Sequence, residues 1–347
     1  MKLQNYNIGI KYPPFIIAEM SGNHNQSLER ALEIVGVAAE TGVHAIKLQT
    51  YTADTMTLDI REGDFFLDDP NNPWKGNSLH ELYQQAYTPW EWHEPIFQRA
   101  KELGLIVFSS PFDETAVDFL EKLDCPMYKI ASFENVHLPL IKKVAETGKP
   151  LIISTGMASL AELDALVSTA KKNGCNDLIL LKCTSTYPAS PENSNIKTIA
   201  HMRDLFDVEV GLSDHTLGVG ASVASIAFGA TVIEKHFTLS RAEGGVDSTF
   251  SMEPSEMSML VDEAKRAWQA IGKVEYGSLA AEEKSMVFRR SIYVCEDVKA
   301  GEVLTKGNVK IIRPGYGISP KYLETILGMK ATQDICRGTP FNWELVK

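Results

Sequence analysis

Residues 105–132 read LIVFSSPFDETAVDFLEKLDCPMYKIAS, and they contain one complete repeat of the fold. The stretch begins with the apolar, β-branched run LIVFSSP, which is typical of a buried strand. The segment ETAVDFLEKLD follows with apolar residues at three- and four-residue spacing, which predicts an amphipathic helix. A second strand-like run, MYKIAS, begins at Met127. The order strand, helix, strand predicts a βα unit of a parallel sheet.

The same alternation continues in both directions along the chain. The strand-like runs are FIIAEM from Phe15, AIKLQT from Ala45, LIVFSSP from Leu105, MYKIAS from Met127, PLIISTG from Pro150, LILLKCTS from Leu178, VEVGLSDH from Val208 and TVIEKHFTL from Thr231. Eight such units over roughly 225 residues predict an α/β fold, the (β/α)8 TIM barrel, whose active sites lie at the C-terminal ends of the strands. A doubly wound open sheet is the alternative. It ordinarily has fewer consecutive units and a glycine-rich nucleotide-binding turn, which this sequence lacks.

Two segments depart from the repeat. The stretch 51–89 is long for a βα loop and carries Phe65, Phe66, Trp74 and Tyr83, which predicts an ordered lid or an interface. After a barrel domain at 1–275 and a polar linker at 276–287, residues 288–347 show short strand-like runs: RRSIYV, AGEVLTKGNVKIIRPGYG and CRGTPFNWELV. A domain of this size has little core of its own, so we expect it to dock within the chain or across a dimer.

Composition excludes several classes of function. The 347 residues include 34 Lys+Arg and 45 Asp+Glu, a formal net charge of -11 that opposes binding to nucleic acid or to anionic membranes. The five cysteines are scattered, which indicates reduced thiols and a cytoplasmic protein. The N-terminus lacks an apolar signal core, and glycines and serines interrupt the uncharged stretch 217–233, so we expect no membrane span.

The predicted strands end in polar residues, among them two lysines. Lys47 and Lys129 would face one pocket, where two ammonium groups require a counter-ion, so they indicate a bound anion or a catalytic amine. Four strand-end hydroxyls, from Ser110, Ser132, Ser154 and Ser213, could complete a cradle for a phosphate or a carboxylate. The alternative is that the lysines pair with local carboxylates such as Glu134 and that the serines cap helices.

Two histidines follow neighbouring strands. His215 and His236 could share a divalent metal, with Glu19 and Glu234 near enough to act as ligands, as hydrogen-bond partners of the ligands or as a base. The alternative is that each imidazole is hydrogen-bonded inside the barrel. Two nitrogen ligands with open positions suit an octahedral ion such as manganese or magnesium better than structural zinc. Surface positions are expected for the histidines in helical or loop patterns, His44, His80, His93, His137 and His201.

The motifs at these strand ends resemble a known family. The strings FIIAEMSGNHNQSLERA, AIKLQTYT, FSSPFDE, YKIASFE, STGMAS, LLKCTSTYP, EVGLSDHTLG and VIEKHFTL resemble, in order, those of the sialic acid synthase family of phosphoenolpyruvate-condensing barrels. The tail RRSIYVCEDVKAGEVLTKGNVKIIRPGYG resembles that family's C-terminal antifreeze-like (SAF) domain. The resemblance covers essentially the whole chain and implies a barrel enzyme with this domain appended.

The resemblance implies a reaction and a set of roles. The reaction is condensation of phosphoenolpyruvate with an open-chain N-acetylated amino sugar, which gives a nine-carbon 2-keto acid and phosphate. Lys47, Ser110 and Lys129 would hold the carboxylate of phosphoenolpyruvate, and Ser132, Ser154, Ser185 and Ser213 its phosphate, although Ser185 stands where the family usually has asparagine. The remaining roles would be metal binding for His215 and His236, catalysis for Glu19, Glu134 and Glu234, and sugar binding for Gln49, Tyr187, Asp247 and Arg313.

Within the family the chain most resembles the branch that makes pseudaminic acid. Ser185, Leu212 and the string GGVDSTFSMEP depart from the pattern of N-acetylneuraminic acid synthases, and the legionaminic acid branch is the nearest competitor. The resemblance also implies a divalent cation, with Mn2+ favoured over Mg2+ or Co2+, and a domain-swapped homodimer in which Arg313 comes from the other protomer. A lysine Schiff-base aldolase is the alternative mechanism, and a catalytically silent sugar-binding protein is the alternative class.

Overall fold

A computed structural model of the chain describes residues 1–69 and 74–347. They form two compact units, Met1–Gly272 and Lys273–Lys347. The predicted linker 276–287 therefore falls within the second unit, where it overlaps a 3-10 helix, Ala280–Phe288. Of the predicted loop 51–89, residues 70–73 lie outside the described part of the chain. None of the helices in the described part is both long and apolar enough to cross a membrane.

The first unit is a closed parallel barrel of eight strands, as predicted. A short hairpin of β1 and β2 precedes the barrel. These two strands and the barrel strands span β1 Lys2–Leu3, β2 Tyr6–Asn7, β3 Phe15–Glu19, β4 Ala45–Thr50, β5 Ile106–Pro111, β6 Tyr128–Ile130, β7 Leu151–Ser154, β8 Leu178–Cys183, β9 Glu209–Ser213 and β10 Val232–His236. The barrel closes where β10 pairs with β3, so the last strand lies beside the first.

Helices follow the barrel strands and cover their outer face. They span α1 Leu28–Glu40, α2 Ala53–Met56, α3 Leu79–Ala86, α4 His93–Glu102, α5 Glu114–Lys122, α6 Leu138–Ala145, α7 Leu160–Lys172, α8 Lys197–Phe206, α9 Gly220–Ala227 and α10 Pro254–Ile271. Several begin at a side-chain cap that satisfies free N–H groups: Asp113 accepts from Ala116 at α5, and Ser159 forms a capping box with Glu162 at α7.

Strand register determines which polar side chains meet at the top of the barrel. Glu19 at the end of β3 pairs with His236 on one side and with Lys47 on the other. Glu234 pairs with Ser213 across β9 and β10. Because parallel strands end at the same edge, these registers bring the predicted site residues of different strands to one end of the barrel.

The second unit has its own small core. Strands β11, Ser291–Val294, and β12, Val309–Ile312, pair antiparallel, and a short helix, α11, spans Leu323–Ile326. The expectation of a strand in CRGTPFNWELV is wrong, because this stretch makes only isolated bridges, such as Tyr293 to Pro340. Backbone hydrogen bonds from Gly338 to the Val294 carbonyl and from Phe341 to the Ile292 carbonyl flank this bridge.

Candidate active site

A cavity of about 460 Å³ opens at the carboxyl ends of the barrel strands. Most of the predicted site residues line it: Lys47, Gln49, Lys129, Ser132, Glu134, Ser154, Ser185, Tyr187, Ser213, His215, Glu234, His236 and Asp247. Glu19 and Ser110 are buried beside Lys47 and do not form part of the wall. Arg313 lies in the second unit, exposed in the turn that follows β12.

Two buried ion pairs form the floor of the cavity. Lys47 pairs with Glu19 and donates a hydrogen bond to Ser110 Oγ at 3.3 Å. Lys129 Nζ donates to Glu234 Oε1 at 3.0 Å, and Ser213 donates to the same oxygen at 3.1 Å. The counter-ion of Lys47 is therefore a carboxylate of the neighbouring strand, and that of Lys129 is a carboxylate from the opposite side of the barrel. The expected local partner, Glu134, is neither of them.

These pairs set the charge of the floor. Burial opposes ionisation of Glu234, but Lys129 and then Lys47 lower the pKa of this carboxyl well below its usual range. Burial also opposes the charged form of Lys47, yet Glu19 raises the pKa of its ammonium. The floor thus carries fixed charges of both signs in a water-poor site, where such charges act strongly on a ligand.

Serine hydroxyls continue the wall next to Lys129. Ser185 donates to Ser132 Oγ at 2.8 Å, whereas the buried hydroxyl of Ser154 has no hydrogen-bond partner. Gly156, with a φ of +46°, allows the close approach of these loops, because a Cβ there would lie 2.7 Å from Cβ of Ser132. A buried hydroxyl without a partner, in a cavity that two lysines also line, suits an anionic ligand oxygen.

The two predicted metal-ligand histidines lie side by side, at the ends of the paired strands β9 and β10. Their ring centroids are 5.4 Å apart. Nδ1 of His215 lies 2.9 Å from the Thr184 carbonyl, to which it must donate, and Nδ1 of His236 is buried without a hydrogen-bond partner. Burial first, and then His215 and the two lysines, hold the pKa of His236 well below its usual range, so this imidazole is neutral at pH 7.

These two imidazoles fit a divalent cation that takes its other ligands from substrate and water. A ligating histidine ordinarily donates its second nitrogen to a carbonyl, as His215 does. The orphaned nitrogen of His236 supplies a free lone pair. No group of three or more His, Cys, Asp or Glu side chains within residues 1–69 and 74–347 is placed to hold a metal, so a cation at these two imidazoles would need further ligands from outside the protein.

A polar wall of β4 and of the loops after β3 and β10 lies opposite the serines. Gln49 Nε2 donates to Glu19 Oε1 and to Ser21 Oγ, each at 3.1 Å, and Ser21 donates to Asp247 Oδ2. Aromatic rings flank this wall: Trp74 Nε1 donates to the Val246 carbonyl at 3.3 Å, and Tyr187 packs on His215 with a centroid distance of 4.5 Å.

Glu134 is a carboxyl of the cavity wall that keeps its proton up to near neutral pH. Burial raises its pKa to about 7, with smaller opposing contributions from its backbone N–H and from Lys129. One of its carboxyl oxygens is buried without a hydrogen-bond partner. A carboxyl with this pKa can donate a proton at neutral pH.

Several lining residues escaped the sequence analysis. Ser21, Tyr51, Phe112, Phe133 and Cys183 line the cavity but were assigned no role. Cys183 closes β8, and its position at a strand end was a usable signal. Although burial opposes ionisation, His215 lowers the pKa of this thiol.

The expectation of a surface position is wrong for His93. It is completely buried, its Nε2 lies 2.8 Å from Thr50 Oγ1, and its Nδ1 lies 3.3 Å from the Pro89 carbonyl. Both ring nitrogens therefore have partners, and these hydrogen bonds offset the loss of hydration when the polar ring is buried. His24, another buried histidine, lies 3.2 Å from Thr88 in the same way.

Comparison with known proteins identifies relatives of both units. The sequence model of the NeuB family matches residues 34–276, and that of the SAF domain matches residues 289–347. A pseudaminic acid synthase of Campylobacter jejuni subsp. jejuni serotype O:2 is 43% identical over 341 residues, which cover 97% of this chain and 97% of that protein. The N,N'-diacetyllegionaminic acid synthase of the same strain is 35% identical over 323 residues, 92% of this chain and 96% of that protein.

A solved structure shares the architecture. The N-acetylneuraminic acid (sialic acid) synthetase of Leptospira borgpetersenii serovar Hardjo-bovis, crystallised in complex with citrate, superimposes with a TM-score of 0.74 at 29% identity. The match covers 82% of this chain and 94% of that one.

Proposed function

The chain belongs to the NeuB family and ends in a SAF domain, and from this membership we propose that it is a pseudaminic acid synthase. The reaction joins phosphoenolpyruvate, 2,4-diacetamido-2,4,6-trideoxy-L-altrose and water to give pseudaminic acid and phosphate. Its product contains a new C–C bond, so the enzyme acts as a transferase. The five unpaired cysteines support a cytoplasmic location.

One observation carries the proposal. A single cavity brings together two buried lysines, a serine hydroxyl without a partner and two adjacent imidazoles, of which His236 has a buried nitrogen without a partner. The first two features suit an anion that has two acidic groups, and the third suits a divalent cation that binds an aldehyde oxygen. Phosphoenolpyruvate and an open-chain sugar have these groups. The higher identity to the pseudaminic than to the legionaminic acid synthase of one strain supports the choice of sugar.

The lysine and serine side binds phosphoenolpyruvate. Lys47, Ser110 and Lys129 hold its carboxylate, and Ser132, Ser154, Ser185 and Ser213 hold its phosphate. Lys47 and Lys129 are already ion-paired, so they offer further N–H donors without having to leave their carboxylates. A ligand held in this way lies with its enol carbon toward the sugar side of the cavity.

The imidazole side binds the sugar aldehyde. His215 and His236 hold a divalent cation, with Mn2+ favoured and Mg2+ or Co2+ as alternatives. When bound, this cation supplies Lewis acidity at the aldehyde oxygen. Gln49 and Asp247 orient the remainder of the sugar from the wall that faces the serines, and Tyr187 does so from the loop after β8.

Three carboxyls handle protons and water. Glu134, which keeps its proton near pH 7, donates it to the oxygen that becomes negative when the enol carbon attacks the aldehyde. Attack leaves a cationic centre on the former phosphoenolpyruvate, and water adds to it and loses one proton. The C–O bond to phosphate then breaks, and the phosphate leaves with the remaining hydroxyl proton as the ketone forms. The second carboxylate oxygen of Glu234, buried without a hydrogen-bond partner, orients this water, and Glu19 holds Lys47 and Gln49 in place.

Schiff-base catalysis is the second candidate mechanism, since both lysines line the cavity. A Schiff base needs a neutral amine, but Glu19 raises the pKa of Lys47 against the effect of burial, and Lys129 is ion-paired with Glu234. We therefore propose that neither lysine becomes covalently attached to substrate.

A domain-swapped homodimer completes the proposal, with Arg313 reaching an N-acetyl group in the partner's barrel. Each of the two units has exposed apolar side chains that support association of two protomers. Phe133, Met157 and Leu217, on loops that follow barrel strands, are 55%, 66% and 62% exposed. In the second unit Phe288 and Tyr316 are 62% and 71% exposed, and Tyr316 shares a turn with Arg313. Exposed apolar side chains of this kind are typical of protein interfaces.

Phosphate release from phosphoenolpyruvate tests the proposal directly. The purified protein is assayed with 2,4-diacetamido-2,4,6-trideoxy-L-altrose and with the precursor sugars of N,N'-diacetyllegionaminic acid and N-acetylneuraminic acid. We expect the first sugar to have the highest kcat/KM, chelation to abolish turnover and manganese to restore it. A preference for another sugar refutes the proposed substrate, and full activity after verified metal removal refutes the metal's role.

Borohydride added during turnover tests the mechanism. We expect the protein mass to stay unchanged, because no imine forms. A reduced adduct on Lys47 or Lys129 would establish the Schiff-base mechanism instead.

A further inference from the structure

Ser21 has a backbone conformation that is unfavourable for serine. It follows β3, its side chain is buried, and its φ is +49°, in the left-handed region that favours glycine. A residue other than glycine persists in such a conformation when its surroundings fix it, and such residues cluster at functional sites. The side chain of Ser21 is therefore the feature to explain.

The hydroxyl of Ser21 joins two loops that are distant in sequence. It donates its single hydrogen to the carboxylate of Asp247, in the loop after β10. Its oxygen accepts from Nε2 of Gln49, at the end of β4, over 3.1 Å. The three side chains form a continuous part of the cavity wall.

This arrangement fixes the orientation of the Gln49 amide. The hydrogen of Ser21 is committed to a carboxylate, so its oxygen can only accept, and the amide group that faces it must be the NH2. The other hydrogen of this NH2 goes to Glu19 Oε1 at 3.1 Å. The amide oxygen of Gln49 makes no hydrogen bond within the described residues and remains available to a ligand in the cavity.

Asp247 presents acceptor sites in the same region. Its carboxylate accepts from the Ser21 hydroxyl and from the backbone N–H of Gly22, whereas a carboxylate has about four acceptor sites. Asp247 and Gln49 together thus present only acceptors to a ligand at this wall. Such a pair favours ligands with N–H or O–H donors at this wall. A ligand that lacks these donors binds less well, because it leaves the buried acceptors without hydrogen bonds.

We infer that Ser21 is a positioning residue that makes this wall specific for two hydrogen-bond donors of the sugar, one of them an acetamido N–H. The inference rests on the proposed function and refines its substrate class. Serine occupies a position suited to glycine, and its hydroxyl orients Gln49 and Asp247 together. It does not act on the reacting atoms.

Ser21→Gly separates this role from a merely structural one. Glycine relieves the backbone conformation, so we expect the Tm to stay equal or rise, whereas the KM for the amino sugar should increase at least tenfold. The KM for phosphoenolpyruvate should change less than twofold, because its binding side chains lie on other strands. The matched control is Asp124→Gly, an exposed position with a φ of +54°, which should leave both KM values unchanged.

A substrate analogue tests the selected group. In the analogue, an O-acetyl ester replaces the acetamido group, so that oxygen stands in place of the N–H. This replacement should lower kcat/KM strongly in the parent enzyme and much less in the Ser21→Gly variant. The inference is overturned if phosphate release continues and the KM for the sugar is unchanged in Ser21→Gly. It is also overturned if the parent enzyme and the variant discriminate equally between the natural sugar and the ester analogue. Absence of phosphate release with every sugar overturns the proposed function, and the inference with it.

Discussion

Among single side chains, the buried carboxyl of Glu134 links stability to pH. In the unfolded chain a glutamate ionises near pH 4.3, whereas burial in the cavity raises the pKa of Glu134 to about 7. The folded state therefore binds more protons than the unfolded state between these values, and stability falls as pH rises through this window. At pH 8 Glu134 is ionised in both states, so the free energy of unfolding is lowered by the full cost of ionising a buried carboxyl.

Glu134→Gln should remove this penalty. We expect the variant to be more stable than the parent by about 1–3 kcal/mol at pH 8 and nearly equal to it at pH 4.5, with activity lost. Chemical unfolding at both pH values measures the difference. Glu33→Gln, at an exposed position of α1, is the control and should show no such dependence. An equal effect at both pH values would mean that Glu134 titrates normally.

The ion pair of Lys129 and Glu234 gives a second test. Lys129→Met leaves a buried carboxylate without its ammonium and should cost about 3–5 kcal/mol, whereas Lys129→Met with Glu234→Gln should recover most of this loss. Neither protein should bind phosphoenolpyruvate well. Lys143→Met removes a surface pair with Asp118 and should hardly change stability. If the double variant is no more stable than the single one, the pair is not coupled in the folded state.

Residue identity and position predict the site only in part. Lys47, Lys129 and the two histidines could be found from the sequence because each lies in, or directly after, an apolar strand run, and the barrel gathers the carboxyl ends of its strands around one cavity. Ser21 could not be found in this way, because its importance depends on a left-handed φ and on a contact with Asp247. His93 was misjudged because its partner Thr50 belongs to another element.

The segment between β4 and α4 shows how an irregular element takes part in the site. It contains α2 and α3, and its Tyr51, Trp74 and Tyr83 line the cavity. The sequence predicted an ordered aromatic segment but not which rings face inward. Barrel strands were easier to predict, because burial on both faces requires continuous apolar runs, whereas the second unit has short strands and isolated bridges.

Trp74 gives this segment a measurable role. Trp74→Phe keeps an aromatic ring but removes the N–H that bonds the carbonyl next to Asp247, so we expect a several-fold higher KM for the sugar and an unchanged KM for phosphoenolpyruvate. Trp268→Phe is a matched control, because it removes an indole bond to the Ile10 carbonyl at 3.0 Å, outside the cavity wall. Steady-state kinetics with each substrate varied in turn makes the comparison. Equal effects of the two substitutions would exclude a specific role of the segment in sugar binding.

For the complete chain, the proposed exchange of Arg313 between protomers predicts complementation. His236→Ala damages the barrel and Arg313→Ala damages the second unit, so each protein alone should be nearly inactive. After subunit exchange, a mixed dimer contains one site with both lesions and one with neither, and about a quarter of full activity should return. Activity of the mixture, with exchange verified by mass-tagged protomers, is the measurement.

Two lesions in the same barrel provide the control. Mixing His236→Ala with Lys129→Ala should restore nothing, because every site then contains a damaged barrel. If exchange occurs and the first mixture also stays inactive, Arg313 does not act in its partner's site.

The pairing of β3 with β10 has a consequence for synthesis of the protein. Phe15 leaves the ribosome 217 residues before its strand neighbour Val232. At 5–20 residues per second this interval lasts roughly 10–40 s, during which the apolar edge of β3 has no partner on that side. Nascent chains therefore expose the unpaired, aggregation-prone edge of β3 for much of translation. Slowing elongation in this region, or withholding ribosome-associated chaperones, should lower the soluble yield without any change in the finished enzyme.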